Sequence, residues 1–166
     1  ICGFGRTGRM FATETFRLKP DMITVAKQLS SAYQPISALF INDKIYQAAK
    51  KASDEIGTFG HGFTYYGHPV AAAVALDTLR IYEEDGIVEH VRNVMSPFQK
   101  RLKDLNKFEH IGETRGRGLI GAFELVADKC LKTPMQPVGA AGKAVVAKCM
   151  DYGVILRALG DSVAFC

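Results

Sequence analysis

The hydrophobic and polar positions of this chain follow two kinds of pattern. Short apolar runs predict strands, and longer segments with apolar residues three or four positions apart predict amphipathic helices. The predicted strands are residues 21–26, 36–41, 119–126 and 154–158, and the predicted helices are residues 44–53, 70–82, 88–106 and 140–152. The run at 36–41 (ISALFI) is continuously apolar rather than alternating, as in sheets that are covered on both faces. This order of elements indicates an α/β fold.

The long helical region contains a predicted domain boundary. An acidic run that ends in glycine interrupts the helical pattern at residues 83–86, and Pro97 should kink the part that follows. We expect a boundary near residue 80, with the end of a larger domain, mainly a parallel sheet, at 1–79 and an incomplete smaller α+β domain at 80–166. The sequence has no initial Met and both ends lie in apolar runs, so we expect a piece of a longer protein.

Composition limits the classes of function. The 166 residues are 48% hydrophobic with a mean hydropathy of +0.03, which is typical of a globular chain with a core. Charged residues interrupt every apolar run before the ~18 residues needed to cross a bilayer, so we expect no membrane partner. The net charge of +4 comes from scattered basic residues. Nucleic-acid binding usually requires a concentrated basic face, and we expect none.

The cysteines indicate a reducing compartment. The four are far apart and form no CxxC pair, so we expect neither a disulfide framework nor a zinc or other metal site. They are Cys2, Cys130, Cys149 and Cys166. A secretory signal peptide is not evident. The cytoplasm is the location that fits these observations.

Residues 3–8 (GFGRTG) match the pattern G-x-G-x-x-G, and Asp21 follows at about the distance of a ribose-binding acid. A dinucleotide site also requires a strand before the motif, a helix that opens at the third glycine, and the acid at the end of a second strand. Here Asp21 begins a strand. The sequence therefore favours a tight turn, with a dinucleotide-binding oxidoreductase as an alternative that depends on this motif alone.

Lys27 is the first candidate for chemistry. It follows the apolar strand at 21–26 and precedes a loop of small residues. This position corresponds to the carboxyl edge of a parallel sheet, where α/β enzymes bind ligands. The small neighbours leave room for a bulky cofactor, and a partly buried amine there is suited to forming a Schiff base. The ordinary alternative is a solvated surface lysine.

Several motifs in series resemble the class-III pyridoxal-phosphate aminotransferases, which are fold-type-I enzymes. Lys27 lies six positions after Asp21 and just before Ser31-Ala32, with GFGRTG upstream, as in the family signature. Residues 57–69 (GTFGHGFTYYGHP) resemble the phosphate-contacting loop, and 115–119 (RGRGL) resemble the start of the small domain. Residues 31–35 (SAYQP) and 153–161 (GVILRALGD) most resemble the ω-aminotransferase branch, the amine:pyruvate type. The resemblance covers nearly the whole chain.

The resemblance implies roles for three residues. Lys27 matches the catalytic lysine that carries pyridoxal 5′-phosphate and later moves the proton. Thr64 matches the threonine that donates its hydroxyl to the cofactor phosphate of the neighbouring subunit, which implies a homodimer with shared sites. Arg157 matches the mobile arginine that pairs with a substrate carboxylate. Thr64 as a turn residue and Arg157 as a strand-end charge remain alternatives. His61, His68, Arg115 and Arg117 receive no catalytic role.

The expected activity is transfer of an amino group from an amine or ω-amino acid to a keto acid such as pyruvate. An aminomutase or decarboxylase of the same family would share Lys27 and Thr64 and remains an alternative, as does a non-catalytic remnant. The family's aspartate, which keeps the pyridine nitrogen protonated, belongs just before Ile1 and is not in this sequence. We therefore expect the isolated chain to be inactive.

Overall fold

A computed structural model describes residues 2–166, so residue 1 of the predicted first domain lies outside the described part. The α-helices are α1 (Ala12–Thr15), α2 (Asp43–Ile56), α3 (Pro69–Glu84), α4 (Ile87–Asp104) and α5 (Ala140–Asp151), and short 3-10 turns cover Lys27–Ser30 and Leu105–Lys107. The strands are β1 (Met22–Ala26), β2 (Ser37–Ile41), β3 (Ile111–Arg117), β4 (Ile120–Asp128), β5 (Thr133–Pro134), β6 (Arg157–Leu159) and β7 (Ser162–Phe165). The chain forms two compact units, Phe11–Ile87 and Phe4–Met10 together with Val88–Cys166.

The helical breaks have local causes. Pro69 is the first residue of α3, where its missing N–H removes a donor that would have no helical partner. The interruption predicted at 83–86 is confirmed, because α3 ends at Glu84 and Gly86 has a φ of +59°. Pro97 lies inside α4, which continues to Asp104. The domain boundary between residues 79 and 80 stays a prediction.

In the first unit, β1 and β2 pair antiparallel, with Met22 opposite Ile41 and Ala26 opposite Ser37. The sheet of the first domain is predicted to be mainly parallel, and this pair of strands is antiparallel. Only ten residues connect Ala26 to Ser37, whereas a parallel crossover needs a dozen or more and usually a helix. Every residue of β2 is exposed in the described chain, although its sequence has the apolar pattern of a covered strand. Helix α3 lies against the 3-10 turn that follows β1.

The second unit is built around an antiparallel sheet with the order β3-β4-β7-β6, and β5 pairs with β4. One face of this sheet carries the core of Ile111, Phe123, Leu125 and Val163. Helix α5 packs on that face through Ala141 and Val145. Helix α4 also packs there, since a Cβ on Gly121 would lie 2.6 Å from Leu102 Cδ2. We call the opposite face the polar face.

Candidate active site

The backbone at Lys27 is strained and well held. Lys27 has a φ of +53°, in the left-handed region that side chains other than glycine rarely occupy, and Ser31 and Ala32 have φ values of 49° and 62°. The Lys27 carbonyl accepts a hydrogen bond from the Ala32 N–H at 3.1 Å. Ser30 is fully buried, and its hydroxyl donates to the Gln34 carbonyl. Such strain is common where the chain positions a functional side chain.

The Lys27 side chain is exposed in the described chain rather than partly buried as predicted. Among the described residues, no carboxylate forms an ion pair with its amine. A cavity of about 790 Å³ lies beside the same turn, lined by Gln28, Ser31, Tyr33 and one side of α3. Lys27 does not line it. The amine is therefore free for a reaction partner, but the neighbouring cavity is not its site.

Thr64 lies in the exposed loop between α2 and α3. It is part of a turn in which the Tyr66 N–H donates to the Phe63 carbonyl at 2.9 Å. The glycines of this loop have open space where a Cβ would be, with nothing within 4 Å at Gly57, Gly62 or Gly67. The Thr64 hydroxyl has no hydrogen-bond partner among residues 2–166. This loop thus offers a hydroxyl donor beside backbone that a phosphate can approach closely.

His61 lies between two aromatic rings of the same loop. Its ring centroid is 5.8 Å from that of Phe59 and 5.0 Å from that of Phe63.

The part of the chain that the structure describes has no group of three or more His, Cys, Asp or Glu side chains that could hold a metal ion. The same part has no helix that is both long and apolar enough to cross a membrane.

Arg157 is the first residue of β6, the edge strand of the second unit's sheet, and it is exposed. It pairs with Ala164, which pairs with Ala122, which pairs with Arg115. These four residues form one row across the sheet. Because residues directly opposite in an antiparallel sheet share a face, both arginines belong to the polar face, on either side of two alanines.

The two arginines differ in their partners. Arg115 forms ion pairs with Glu124 at 3.1 Å and with Glu113 at 3.8 Å, and it donates a hydrogen bond to the Ser162 hydroxyl at 2.9 Å. Arg157 has no carboxylate partner among the described residues. The sequence indicated no role for Arg115, and the structure shows that its charge is matched internally. Arg157 therefore presents the free positive charge of this row.

Asp161 is a structural residue of this region that received no role from the sequence, although it ends the motif at 153–161. It is buried, and its carboxylate accepts hydrogen bonds from Gly139 N at 2.6 Å and Gly142 N at 3.0 Å, at the start of α5. These N–H donors hold the pKa of the Asp161 carboxyl below its ordinary value, with Gly139 the larger cause. The signals in the sequence were a Gly-Asp pair after a predicted strand and two glycines, Gly139 and Gly142, at the start of a predicted helix.

The GFGRTG segment is a tight turn, as the sequence favoured. Its Arg6 carbonyl accepts a hydrogen bond from Leu119 N at 2.8 Å, and its Gly8 carbonyl accepts one from Arg92 Nε at 2.8 Å. The helix after it, α1, begins only at Ala12 and has four residues. Asp21 is bound to the Asn42 side chain at 2.7 Å, which closes the end of the β1–β2 pair. Neither a helix opening at the third glycine nor a free acid is present.

A known family has the same order of features along the chain: the lysine turn, then the glycine-rich loop, then the edge strand with its arginine. The class-III aminotransferase family model matches residues 1–166. The chain therefore belongs to the class-III aminotransferases. The fold class and the family that the sequence predicted are confirmed.

Individual relatives are transaminases. The chain is 44% identical over 163 residues to gamma aminobutyrate transaminase 3, chloroplastic, of Solanum lycopersicum. The aligned region covers 98% of this chain and 31% of that protein. A solved transaminase with L-alanine is 51% identical, with a TM-score of 0.95, over all of this chain and 39% of its own. The omega transaminase of Pseudomonas jessenii in complex with PMP is 46% identical, with a TM-score of 0.93, over 100% and 37%. The chain thus spans between 31% and 39% of their length.

Proposed function

We propose that this chain supplies the lysine, the phosphate-binding threonine and the carboxylate-binding arginine of a pyridoxal-phosphate-dependent aminotransferase. The enzyme would move an amino group from an amine or ω-amino acid to a keto acid such as pyruvate. The observation that carries the proposal is the unpaired Lys27 amine on a strained turn directly after β1, in a chain that belongs to the class-III aminotransferases. The whole enzyme includes residues beyond those of this chain, because its relatives are about three times as long.

The residues present fit the cofactor. Class-III aminotransferases use pyridoxal phosphate, which has an aldehyde and a phosphate that a protein must bind. A primary amine with no ion-pair partner, Lys27, suits the aldehyde. A hydroxyl donor in a loop whose glycines leave open space, Thr64, suits the phosphate dianion. Lys27 Nζ would hold the cofactor covalently, and the Thr64 hydroxyl would donate a hydrogen bond to it.

Each residue has a distinct task in the reaction. When bound, pyridoxal phosphate supplies an electron sink for negative charge at the carbon that bears the substrate's amino group. Lys27 Nζ, once displaced by the substrate amine, is the base that takes the proton from this carbon. Arg157 pairs with the substrate carboxylate through its planar guanidinium, which matches a carboxylate in two hydrogen bonds. Its freedom from internal carboxylates supports this role.

We also propose that the enzyme is a homodimer in which Thr64 serves the site of the neighbouring subunit. The exposure of the whole loop from residue 57 to residue 68 supports this, because such a loop is available to a second chain. A cytoplasmic location is likewise a proposal. Its support is that Cys2, Cys130, Cys149 and Cys166 are all free thiols.

Borohydride reduction tests the central assignment. In the full-length enzyme, reduction should fix pyridoxal phosphate to Lys27, and the Lys27→Ala variant should lose both this label and the visible absorption band. Lys44→Ala, at an exposed position on α2, is the matched control and should retain both. Labelling of another lysine would overturn the assignment. Amine loss that depends on an added keto acid separates a transaminase from a decarboxylase or aminomutase.

A further inference from the structure

Asp161 joins the turn of the β6–β7 hairpin to the start of α5. The hairpin has a two-residue turn, Gly160-Asp161, since Leu159 pairs with Ser162. Gly160 has a φ of +64°, as the first turn position of such hairpins requires. The N-cap of α5 is Gly139, which has no side chain to bind the first N–H groups of the helix. The Asp161 carboxylate binds two of them instead.

The contact between hairpin and helix is close. A Cβ on Gly142 would overlap the carbonyl oxygen of Gly160, and one on Gly139 would lie 3.5 Å from the Gly160 Cα. The Asp161 carbonyl also accepts a hydrogen bond from Leu125 N at 2.9 Å, which ties the turn to β4. The backbone of the hairpin turn therefore packs directly on the backbone at the start of α5. The Asp161 carboxylate fixes the position of the turn relative to the helix.

The hairpin is held at this turn and is open at the other end of β6. Strand β6 has three residues, lies at the edge of the sheet and pairs only with β7 in the described sheet. Residues 154–156, which precede it, are outside any strand, and Gly153 has a φ of +75°. Arg157 begins β6, two residues before Leu159 at the turn. A displacement of the turn would therefore displace Arg157 as well, because the strand between them is short.

We propose that Asp161 is a positioning residue for Arg157: by binding the N–H groups of Gly139 and Gly142 at the start of α5, it places the β6–β7 hairpin so that the Arg157 guanidinium reaches the carboxylate of the substrate. This inference rests on the proposed role of Arg157 and deepens it. Asp161 itself touches no substrate. Its loss would weaken recognition of the carboxylate while leaving the chemistry at Lys27 in place.

Two donor substrates of the full-length holoenzyme separate positioning from general damage when an aldehyde replaces the keto acid as amino acceptor, because the acceptor then brings no carboxylate of its own. 4-Aminobutanoate has a carboxylate, and pentylamine, of similar length, has none. In Asp161→Asn, an NH₂ group replaces one acceptor of the backbone N–H groups. We expect the KM for 4-aminobutanoate to rise roughly tenfold and that for pentylamine to stay unchanged, because an ångström of misplacement can cost up to about a hundredfold. Asp161→Glu retains the charge but lengthens the side chain, and it should show the same selective change.

Binding of propanoate, measured by calorimetry, provides a readout that does not depend on turnover. The propanoate Kd should rise in both Asp161 variants. Asp151→Asn is the matched control, because Asp151 lies at the far end of α5 in an exposed pair with Lys148, and it should change neither KM nor Kd. In the Arg157→Ala background, Asp161→Asn should add no further loss of propanoate affinity, as expected of residues that act as a unit.

These outcomes distinguish a failure of this inference from a failure of the proposed role of Arg157 on which it rests. If Arg157→Ala affects 4-aminobutanoate and pentylamine equally, the proposed carboxylate role of Arg157 fails. If Arg157→Ala is selective but the Asp161 variants change both substrates equally, or neither, Asp161 is only structural and the inference fails alone. Should Asp161→Asn not fold, Asp161→Glu decides by the same comparison, and failure of both to fold would count against a positioning role.

Discussion

Arg115 and Arg157 lie in the same row of the sheet, two alanines apart, and only Arg115 is paired with carboxylates among the described residues. The pairing of Arg115 with Glu124 and Ser162 binds β3 to β4 and β7. Its charge is thereby matched within the sheet. The contrast predicts different consequences for two chemically identical substitutions.

Arg157→Ala should weaken binding of donors that carry a carboxylate, whereas Arg115→Ala should not. A lost hydrogen-bonded ion pair costs roughly 1.5–3 kcal/mol, so the KM for 4-aminobutanoate should rise about ten- to a hundredfold in Arg157→Ala. With an aldehyde as amino acceptor, which brings no carboxylate, the KM for pentylamine should be unchanged. Steady-state kinetics of both variants of the full-length enzyme check this, and an equal response of the two variants would contradict it.

Thr64→Val should weaken cofactor affinity and retain the shape of the side chain. Loss of a hydrogen bond to the phosphate should raise the Kd for pyridoxal phosphate about ten- to a hundredfold. Thr58→Val, in the same exposed loop, is the matched control and should leave the Kd unchanged. Fluorescence titration of the full-length apoenzyme measures both. Equal affinities for the two variants would remove Thr64 from the site.

Mixed dimers should show whether Thr64 serves the neighbouring subunit. A dimer of one Lys27→Ala chain and one Thr64→Val chain would have one site with both wild-type residues if the sites are shared. Mixing the two full-length variants at limiting cofactor should then restore activity that neither has alone. With subunit exchange confirmed by mass spectrometry, the absence of recovery would place Thr64 in its own subunit's site or outside any site.

The stabilising effect of Asp161 should depend on pH in one direction. Its folded-state pKa is lowered by the Gly139 and Gly142 N–H groups, so the ionised form favours the folded state. This contribution is complete above the unfolded-state pKa, near 4, and is lost as the pH falls through the folded-state pKa. The stability difference between wild type and Asp161→Asn, from urea unfolding, should be constant from pH 7 to 5 and shrink below about pH 4. A difference that grows on acidification would refute this.

The isolated 166-residue chain should not fold as an autonomous unit. Strand β2 exposes Leu39 and Phe40, with 57% and 54% of their surfaces accessible, and the loop before α3 exposes further aromatic residues. An apolar strand with an open edge favours aggregation. Expressed alone, the chain should be insoluble or have a fluctuating core. A sharp cooperative thermal transition with a dispersed NMR spectrum would show the opposite.

Local signals in the sequence were sufficient for several features. An apolar run followed by lysine predicted a strand that ends just before Lys27, and it does. Pro69 predicted the start of α3, and the acidic run ending in glycine predicted its end. These features depend on neighbours along the chain, through fixed φ angles, missing donors and the spacing of apolar residues. The same local motifs, in order, sufficed for the family.

The tertiary structure decided which residues meet at long range. The apolar runs predicted strands at 21–26 and 36–41, but only the short connection and the register made this pair antiparallel. The sequence did not indicate the partners of the charged residues Arg115, Arg157 and Asp161. Only the sheet register gave Arg115 its carboxylates and left Arg157 without one, and only the packing of α5 on the hairpin turn buried Asp161 against two N–H groups. Such partners lie up to 47 residues away along the chain, beyond the reach of any periodicity or local motif.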